Sequence, residues 1–319
     1  MALTLADMAS LAENKLRQGV IYGLAKATRM GDLLPFTSTN ALDATVVYIS
    51  GYPSLSWRNV GGTPAESKAT FAQRTEALKA LSAKMTVDRL VLKAKNLVQD
   101  LPSSQIKAHT EAIAFEFNDM FINGDPLADA SIPAGIRYRI QNEARFTNQR
   151  LNTSSDLTVI TSDATMHSWF DLIQEAMAHV GDQPDAIICN RQTKLRLTSV
   201  ARRLKCYDST KDSFDRKVDR FDGVPIVDIG PKRSAAHKGA AYAASDQILL
   251  HNGYSGTSEM YVVRFGDDFL CGIQNGDITV ENFVKDPGNP QNLVAYIEWV
   301  CSIGIFRPDA ICSIERLII

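Results

Sequence analysis

The chain has 319 residues, of which 45% are hydrophobic and 22% charged, a composition typical of globular proteins that excludes wholesale disorder. Its 34 basic residues nearly balance its 36 acidic ones, which argues against a protein that grips nucleic acid along its whole surface. The length suggests two packed units. We expect no membrane span and no signal peptide, because long apolar runs and a basic-then-apolar start are both missing from the sequence.

The five cysteines are far apart and include no Cys-x-x-Cys pair; they are Cys189, Cys206, Cys271, Cys301 and Cys312. An odd number at wide spacing suits neither a disulfide framework nor a zinc site. We therefore predict free, mostly buried thiols and assembly in a reducing cytoplasm.

Apolar residues recur at helical spacing over residues 3–30, which predicts one amphipathic helix or two short ones. Gly31 and Asp32 end this pattern. Such a helix either packs on the core of its own chain or forms an arm that lies on a neighbouring subunit. The residues alone favour the first interpretation.

Residues 45–92 predict a long two-stranded ribbon. Leu55 and Trp57 alternate with polar residues, and the same alternation returns over residues 81–88, which is typical of strands with one polar face. Residues 60–68 between the two arms are rich in turn formers. An arm of ten or more residues would reach about 35 Å. An isolated hairpin is at best marginally stable in water, so either its own chain or another copy must cover this one.

Helices are predicted over residues 103–122 and 164–180 and from Asn190 onward. Strands are predicted over residues 186–189, 224–227, 279–284, 292–306 and 311–319. The order of helix, strand, helix and strand indicates a compact mixed α/β unit over about residues 140–270.

A search for reactive groups finds no catalytic, cofactor-binding or metal-binding pattern. The sequence has no Gly-x-Ser-x-Gly elbow and no Gly-x-x-x-x-Gly-Lys-Ser/Thr loop. No pair of histidines has the spacing of a metal site; they are His109, His167, His179, His237 and His251. We therefore assign no catalytic residue, cofactor or metal.

Basic residues crowd the helix that begins at Asn190, and four aspartates follow between Asp208 and Asp219. One interpretation is a solvated helix face whose charges these aspartates counter. The other interpretation, equally supported, is charge complementarity between neighbouring subunits. Direct DNA binding is less well supported than either of these. The residues assigned to such intersubunit contacts are Arg191, Lys194, Arg202 and Arg203.

The order of these elements and several short motifs resemble the HK97-type major capsid protein of tailed phages. Residues 52–68, with the sequence Tyr-Pro-Ser-Leu-Ser-Trp-Arg-Asn-Val-Gly-Gly-Thr-Pro-Ala-Glu-Ser-Lys, are similar to the ribbon, or E-loop, of one group of these proteins. Residues 121–125 and 133–137 are similar to the end of the family's spine helix and the segment after it. Residues 221–226 resemble the start of a strand in the family's A-domain. The element order covers nearly the whole chain, whereas each motif is short.

This resemblance implies an α+β chain with the HK97-like capsid fold: an N-terminal arm, an extended β-ribbon (the E-loop), a P-domain with a long spine helix and a mixed α/β A-domain. The implied boundaries are 1–44 for the arm, 45–92 for the E-loop, 93–139 and 271–306 for the P-domain, and 140–270 and 307–319 for the A-domain. The E-loop residues implied to contact a neighbouring subunit are Leu55, Trp57, Arg58, Gly61, Gly62 and Lys68.

The resemblance also implies a structural protein, not an enzyme, that assembles through homo-pentamers and homo-hexamers into an icosahedral phage head around double-stranded DNA. Its implied partners are portal and scaffolding proteins and a decoration protein, and its implied place of assembly is the host bacterial cytoplasm. Because the capsid-like elements begin almost at Met1, we expect scaffolding to be a separate protein or unnecessary. Nothing in the sequence identifies an isopeptide partner for Lys68, so we expect no cross-link.

Two other functions stay open. An encapsulin-like nanocompartment shares the implied fold but encloses a cargo enzyme in a cell. A soluble α/β enzyme with a β-ribbon for oligomerisation would need a convergent nucleophile, base and orienting group, and the sequence shows no such set.

Overall fold

A computed structural model describes most of the chain. The described residues are 3–5, 7–8, 15–28, 30–31, 33–90, 101–152, 163–181, 183–205, 207–211, 217–232, 246–249, 257–276, 278–281 and 283–318. Their longer α-helices are α1 (Lys15–Ala27), α2 (Leu101–Asn123), α3 (Ile136–Asn142), α4 (Asp163–His179) and α5 (Arg191–Arg203). Short 3-10 helices cover Ala144–Gln149 and Pro308–Ala310.

Among the described residues, the strands form two seven-stranded sheets and a separate two-stranded ribbon. The first sheet contains β1 (Leu3–Thr4), β2 (Pro35–Thr39), β5 (Lys79–Asp88), β12 (Leu270–Asn275), β13 (Thr279–Val280), β14 (Val284–Lys285) and β15 (Asn292–Ile305). The ribbon consists of β3 (Asp43–Gly51) and β4 (Thr70–Ala77). The second sheet contains β6 (Arg150–Asn152), β7 (Ala186–Cys189), β8 (Tyr207–Lys211), β9 (Lys217–Phe221), β10 (Val224–Asp228), β11 (Thr257–Val263) and β16 (Ile311–Ile318).

The first sheet is built around the long strand β15, which pairs antiparallel with β5 along ten residues and with β12 at its far end. The rings of Phe117 on α2 and Phe36 on β2 pack against Trp299 of β15, with centroid distances of 4.7 and 5.5 Å. All three side chains are buried. Because burial of a large apolar side chain contributes about 1.5–3 kcal/mol, this aromatic cluster fixes α2 to the sheet.

The prediction of one helix or two short ones over residues 3–30 is confirmed for α1 and for the helical residues Leu5, Asp7 and Met8. Leu3 and Thr4 form a strand that pairs with β2 instead of continuing a helix. Val20, Ile21 and Leu24 are buried in the core of the first sheet. The helix therefore packs on its own chain, which was the interpretation favoured by the residues.

The second sheet confirms the predicted order of helix, strand, helix and strand. All four residues of β7 are buried, and β7 lies between the parallel strand β10 and the antiparallel strand β11. The side chain of Asn190 accepts a hydrogen bond from the Thr193 amide at 2.7 Å, which caps α5 where that helix was expected to begin. Trp169, Ile173 and other apolar residues of α4 pack on this sheet.

A two-stranded ribbon does form within the predicted region, but the strands assigned to its two arms are wrong. Residues 79–88 do form a strand, but that strand, β5, pairs with β15 in the first sheet. Residues 52–69 form no strand, although Leu55 and Trp57 alternate with polar residues. The true ribbon joins β3 to β4. The alternation in β5 reflects its own one-sided burial, since Met85 and Val87 face the core while Thr86 and Asp88 face solvent.

The remaining strand predictions are confirmed over β15 and β16. The prediction of one continuous strand over residues 279–284 is wrong. Two short strands, β13 and β14, replace it, and both pair with β15.

Four of the five cysteines are free and buried, as predicted, and Cys206 lies outside the described residues. Burial raises the pKa of the Cys271 and Cys312 thiols to about 12. These buried thiols are therefore protonated and unreactive at neutral pH.

Candidate assembly interface

The segment that joins the ribbon strands, residues 52–69, is called the tip here. Its apolar side chains lie in water: Leu55 is 93% exposed, Trp57 105% and Val60 107%. The returning part of the tip, including Lys68, is exposed as well. The tip is therefore not folded back onto the described part of its own chain.

A tight turn at Asn59–Gly62 shapes the tip. The Gly62 amide donates to the Asn59 carbonyl oxygen at 3.0 Å, and Gly61 has a φ of 87°. A positive φ at the third turn position is typical of a type II turn and favours glycine. The Arg58 guanidinium donates to the Gly62 carbonyl oxygen at 2.9 Å. Three of the residues predicted to contact a neighbour, Arg58, Gly61 and Gly62, thus form one local structure next to Trp57.

The ribbon stem has two chemically different faces. Ile49 pairs with Phe71 and Val47 with Gln73, so Val47, Ile49 and Phe71 lie on one face, called the outer face. All three are at least half exposed. Tyr48, Arg74 and Glu76 lie on the opposite, inner face, where burial increases toward the base of the ribbon. The inner face packs on the protein and the outer face does not.

At the base of the ribbon, Glu76 forms a buried double ion pair with Arg139 of α3. The Arg139 Nη2 atom lies 2.7 Å from the Glu76 Oε2 atom, and Arg139 Nη1 binds the other carboxylate oxygen. Arg74 binds the same carboxylate through its Nε atom. Burial alone would raise the pKa of Glu76, but the hydrogen bonds and charges of Arg139 and Arg74 outweigh it and lower this pKa below its ordinary value.

The same network extends to Glu143, which follows α3. Arg74 Nη1 donates to Glu143 Oε2 at 2.6 Å, and Arg145 Nε donates to the same oxygen at 2.9 Å. The Arg145 guanidinium lies over the Tyr48 ring of the inner face, 6.0 Å from its centroid. The set of Arg74, Glu76, Arg139, Glu143 and Arg145 is called the base network below.

Two arginines of the base network also bind backbone carbonyl oxygens of β15, beyond the point where β5 ends. Cys301 of β15 pairs with Lys79 of β5 on one side and with Gln274 of β12 on the other, so β5 ends there while β12 continues. Past that point, Arg139 and Arg145 donate to the carbonyl oxygens of Ile303 and Ile305, each at 2.8 Å. An unpaired backbone carbonyl in the interior is costly, so these arginines complete the sheet edge at the place where the ribbon leaves it.

The sequence did not identify the base network. Arg74 and Glu76 lie two residues apart and thus on one strand face, which is a visible signal. Their partners, however, are 63 and 69 residues away in the chain. No local pattern links such residues.

The basic cluster on α5 is partly explained by its own chain. The Lys194 Nζ atom lies 3.5 Å from an Asp219 carboxylate oxygen, as the solvated-face interpretation expects. Arg191, Arg202 and Arg203 are exposed, and one Arg203 nitrogen lies 3.6 Å from the Met166 sulfur atom. A role of these arginines between subunits stays a prediction.

Within the described ranges, no three histidine, cysteine, aspartate or glutamate side chains are grouped so that they could hold a metal ion. None of the helices in those ranges is long and apolar enough to cross a membrane.

No protein-family model and no curated protein sequence matches the chain. Solved structures do. The capsid of a native GTA particle is 12% identical, with a TM-score of 0.63 over 91% of this chain and 90% of that one. The holo-SrpI encapsulin complex from Synechococcus elongatus is 12% identical, with a TM-score of 0.62 over 90% of this chain and 86% of that one. The capsid of Myoviridae phage XM1 is 11% identical, with a TM-score of 0.54 over 88% and 90%. At these identities the likeness concerns the fold.

Proposed function

We propose that this chain, which has the HK97-like fold of phage capsid proteins and encapsulins, is the subunit of a closed shell made of many copies of itself. The observation that carries the proposal is the ribbon, which is held firmly at its base and bare at its tip and outer face. A rigid, projecting, apolar element is suited to bind a neighbour.

The exposed apolar residues of the ribbon define the surface that a second copy would cover; they are Val47, Ile49, Tyr52, Leu55, Trp57, Val60 and Phe71. Full burial of one such side chain contributes about 1.5–3 kcal/mol, so covering several of them offsets much of the loss of freedom on association. A second copy is the fitting partner because the similar structures include capsids and an encapsulin complex, which are built from repeated subunits.

The more specific form of the proposal is a major capsid protein of a tailed phage. Pentamers and hexamers of the chain would form an icosahedral head around double-stranded DNA, with portal, scaffolding and decoration proteins as partners and the host bacterial cytoplasm as the place of assembly. The division into N-terminal arm, E-loop, P-domain and A-domain is part of this proposal. The first sheet would belong mainly to the P-domain and the second to the A-domain.

An encapsulin-like compartment is the second candidate. The observation that favours it is that the encapsulin complex and the GTA capsid match the chain almost equally well, with TM-scores of 0.62 and 0.63. The contents of purified particles separate the two: nuclease-protected double-stranded DNA supports the phage head, and a single co-purified enzyme supports the compartment.

Electron microscopy of the purified full chain tests the shared claim of a shell. We expect closed particles of uniform diameter from the wild type, and dispersed subunits from the variant Leu55→Ser, Trp57→Ser and Val60→Ser. The matched control is Leu127→Ser, which removes an exposed leucine outside the ribbon and should leave the particles intact. Particles formed equally well by the tip variant would overturn the role of the ribbon, and a wild type that stays monomeric at high concentration would overturn the shell.

A further inference from the structure

The short helix α3 lies between the ribbon and the second sheet. Arg137 and Arg139 are two residues apart on it, so their side chains leave the helix about 200° apart. Arg139 binds Glu76 at the base of the ribbon, as described above. Arg137 binds Glu259 on β11 of the second sheet, with 2.8 Å between its Nε atom and the Glu259 Oε2 atom.

The contact on the Arg137 side is buried and extensive. Glu259 is fully buried and also accepts a hydrogen bond from the Tyr261 hydroxyl at 2.5 Å. Arg137 donates through a second nitrogen to the side-chain oxygen of Asn123, the last residue of α2. The Asn123 amide nitrogen in turn donates to an Asp119 carboxylate oxygen at 2.6 Å. Arg137 therefore joins α3 to the second sheet and to the end of α2.

The start of α3 has little freedom to move. The Gly135 amide donates to the Gly124 carbonyl oxygen at 2.8 Å, just after α2. A Cβ atom on Gly135 would lie 2.6 Å from the Met120 carbonyl oxygen, so the backbones are in close contact there. Arg139 Nε donates to the Ala134 carbonyl oxygen at 3.0 Å, which braces the arginine against the same segment. Because the anchor lies at its start, this seven-residue helix can change direction only as one body, by tilting about that end.

Breaking the contact of Arg137 or that of Arg139 is energetically costly. Arg139, Glu76 and Glu259 are all buried, and separating a buried ion pair leaves a charge without water or partner. A shift of the second sheet against the first must therefore carry α3 with it, or break one of the two contacts.

We propose that α3 couples the second sheet to the ribbon, so that the direction of the ribbon depends on the position of the second sheet through Glu259, Arg137, Arg139 and Glu76. The inference rests on the proposed function, in which the ribbon contacts the neighbour. It adds that a change within one subunit is passed to the next through a seven-residue helix. Arg137 and Arg139 act as positioning residues.

Hydrogen exchange of the soluble, unassembled full chain tests this coupling. Glu259→Gln removes the charge on the second sheet with little change in shape. We expect it to speed amide exchange in the ribbon strand β4 by about fivefold or more, the lower end of usual coupling between sites. The reciprocal variant Glu76→Gln should speed exchange in β11. The coupling free energy between two sites is reciprocal, so if the Glu259 contact affects the ribbon, the Glu76 contact must affect β11 as well.

Glu315→Gln is the matched control. Glu315 is a buried carboxylate of the same sheet, and it pairs with Arg150 of β6 at 2.9 Å. It should leave exchange in β4 unchanged. If Glu259→Gln does not fold, Arg137→Lys can be used instead, because it keeps a positive charge beside Glu259. It should also speed amide exchange in β4, but by a smaller factor.

Faster exchange confined to the second sheet and α3 would overturn the coupling. Because this readout is taken before assembly, its result is independent of whether electron microscopy finds shells. A failure of the coupling and a failure of the proposed function are therefore distinguishable.

Discussion

The base of the ribbon and its tip differ in what their own chain does for them. At the base, five charged side chains bind one another and two backbone carbonyls of β15. At the tip and on the outer face, apolar side chains stay in water. The charged groups at the base are thus bound within one subunit, whereas the apolar surface of the tip and outer face is suited to contact another molecule. A projecting element needs both properties, because only a fixed element can present an apolar surface in a constant direction.

The largest effect is expected from Glu76→Ala, which leaves Arg139 buried without its carboxylate. Loss of one partner of a buried ion pair costs about 3–5 kcal/mol, and urea unfolding of the soluble chain measures it. Glu66→Ala, at the exposed tip, is the control and should change the free energy of unfolding by less than about 0.5 kcal/mol. Equal effects of the two variants would contradict the contrast between base and tip.

The pH dependence of stability sharpens the same contrast. The pKa of Glu76 is lowered in the folded chain, so its stabilising contribution is fully present above its ordinary value of 4.5 and is lost as the pH falls through the folded value. The charged groups that face it are Arg139 and Arg74, with Glu143 and Arg145 beyond them. The difference in unfolding free energy between wild type and Glu76→Gln should therefore be constant near neutral pH and shrink only below 4.5. A difference that already shrinks between pH 7 and 5 would mean that this carboxyl is not held by the arginines.

A smaller effect, of a different kind, is expected on the outer face. Phe71→Thr should leave the stability of the subunit within about 0.5 kcal/mol, because this side chain is exposed. The same change should raise the protein concentration needed for assembly by about tenfold, which corresponds to a loss of about 1.4 kcal/mol per contact. Light scattering across a dilution series measures it, with Leu127→Thr as the control. An unchanged assembly threshold would show that the outer face stays bare in the shell.

Local patterns in the sequence predicted the elements but not their partners. The apolar stripe of α4, the strand β7 and the start of α5 at Asn190 depend on neighbours within a few residues, and all were predicted. The alternation in residues 81–88 predicted a strand correctly, yet it could not distinguish pairing with the ribbon from pairing with β15, more than 200 residues later. Leu55 and Trp57 alternate in the same way without forming a strand. Alternation records one-sided burial and not the identity of the neighbouring strand.

In the candidate interface, too, the sequence predicted what depends on neighbouring residues and missed the contacts between distant ones. The tip was identified through its turn residues and through the resemblance of residues 52–68, a contiguous segment, to the E-loop. The base network was missed because Glu76 meets Arg139 only after the chain has passed through β5 and α2. The contacts that fix the direction of the ribbon are therefore a tertiary property, whereas the surface that it presents is a local one.

The fluorescence of Trp57 tests the central claim most directly. The chain has three tryptophans, and Trp169 and Trp299 are each only 1% exposed. Acrylamide quenching of the unassembled chain therefore reports on Trp57, as the variant Trp57→Phe would verify. We predict that the quenchable component disappears and the emission shifts to the blue when shells form. Assembled shells in which Trp57 stays as accessible to acrylamide as in the free subunit would contradict the proposal that a second copy covers the tip.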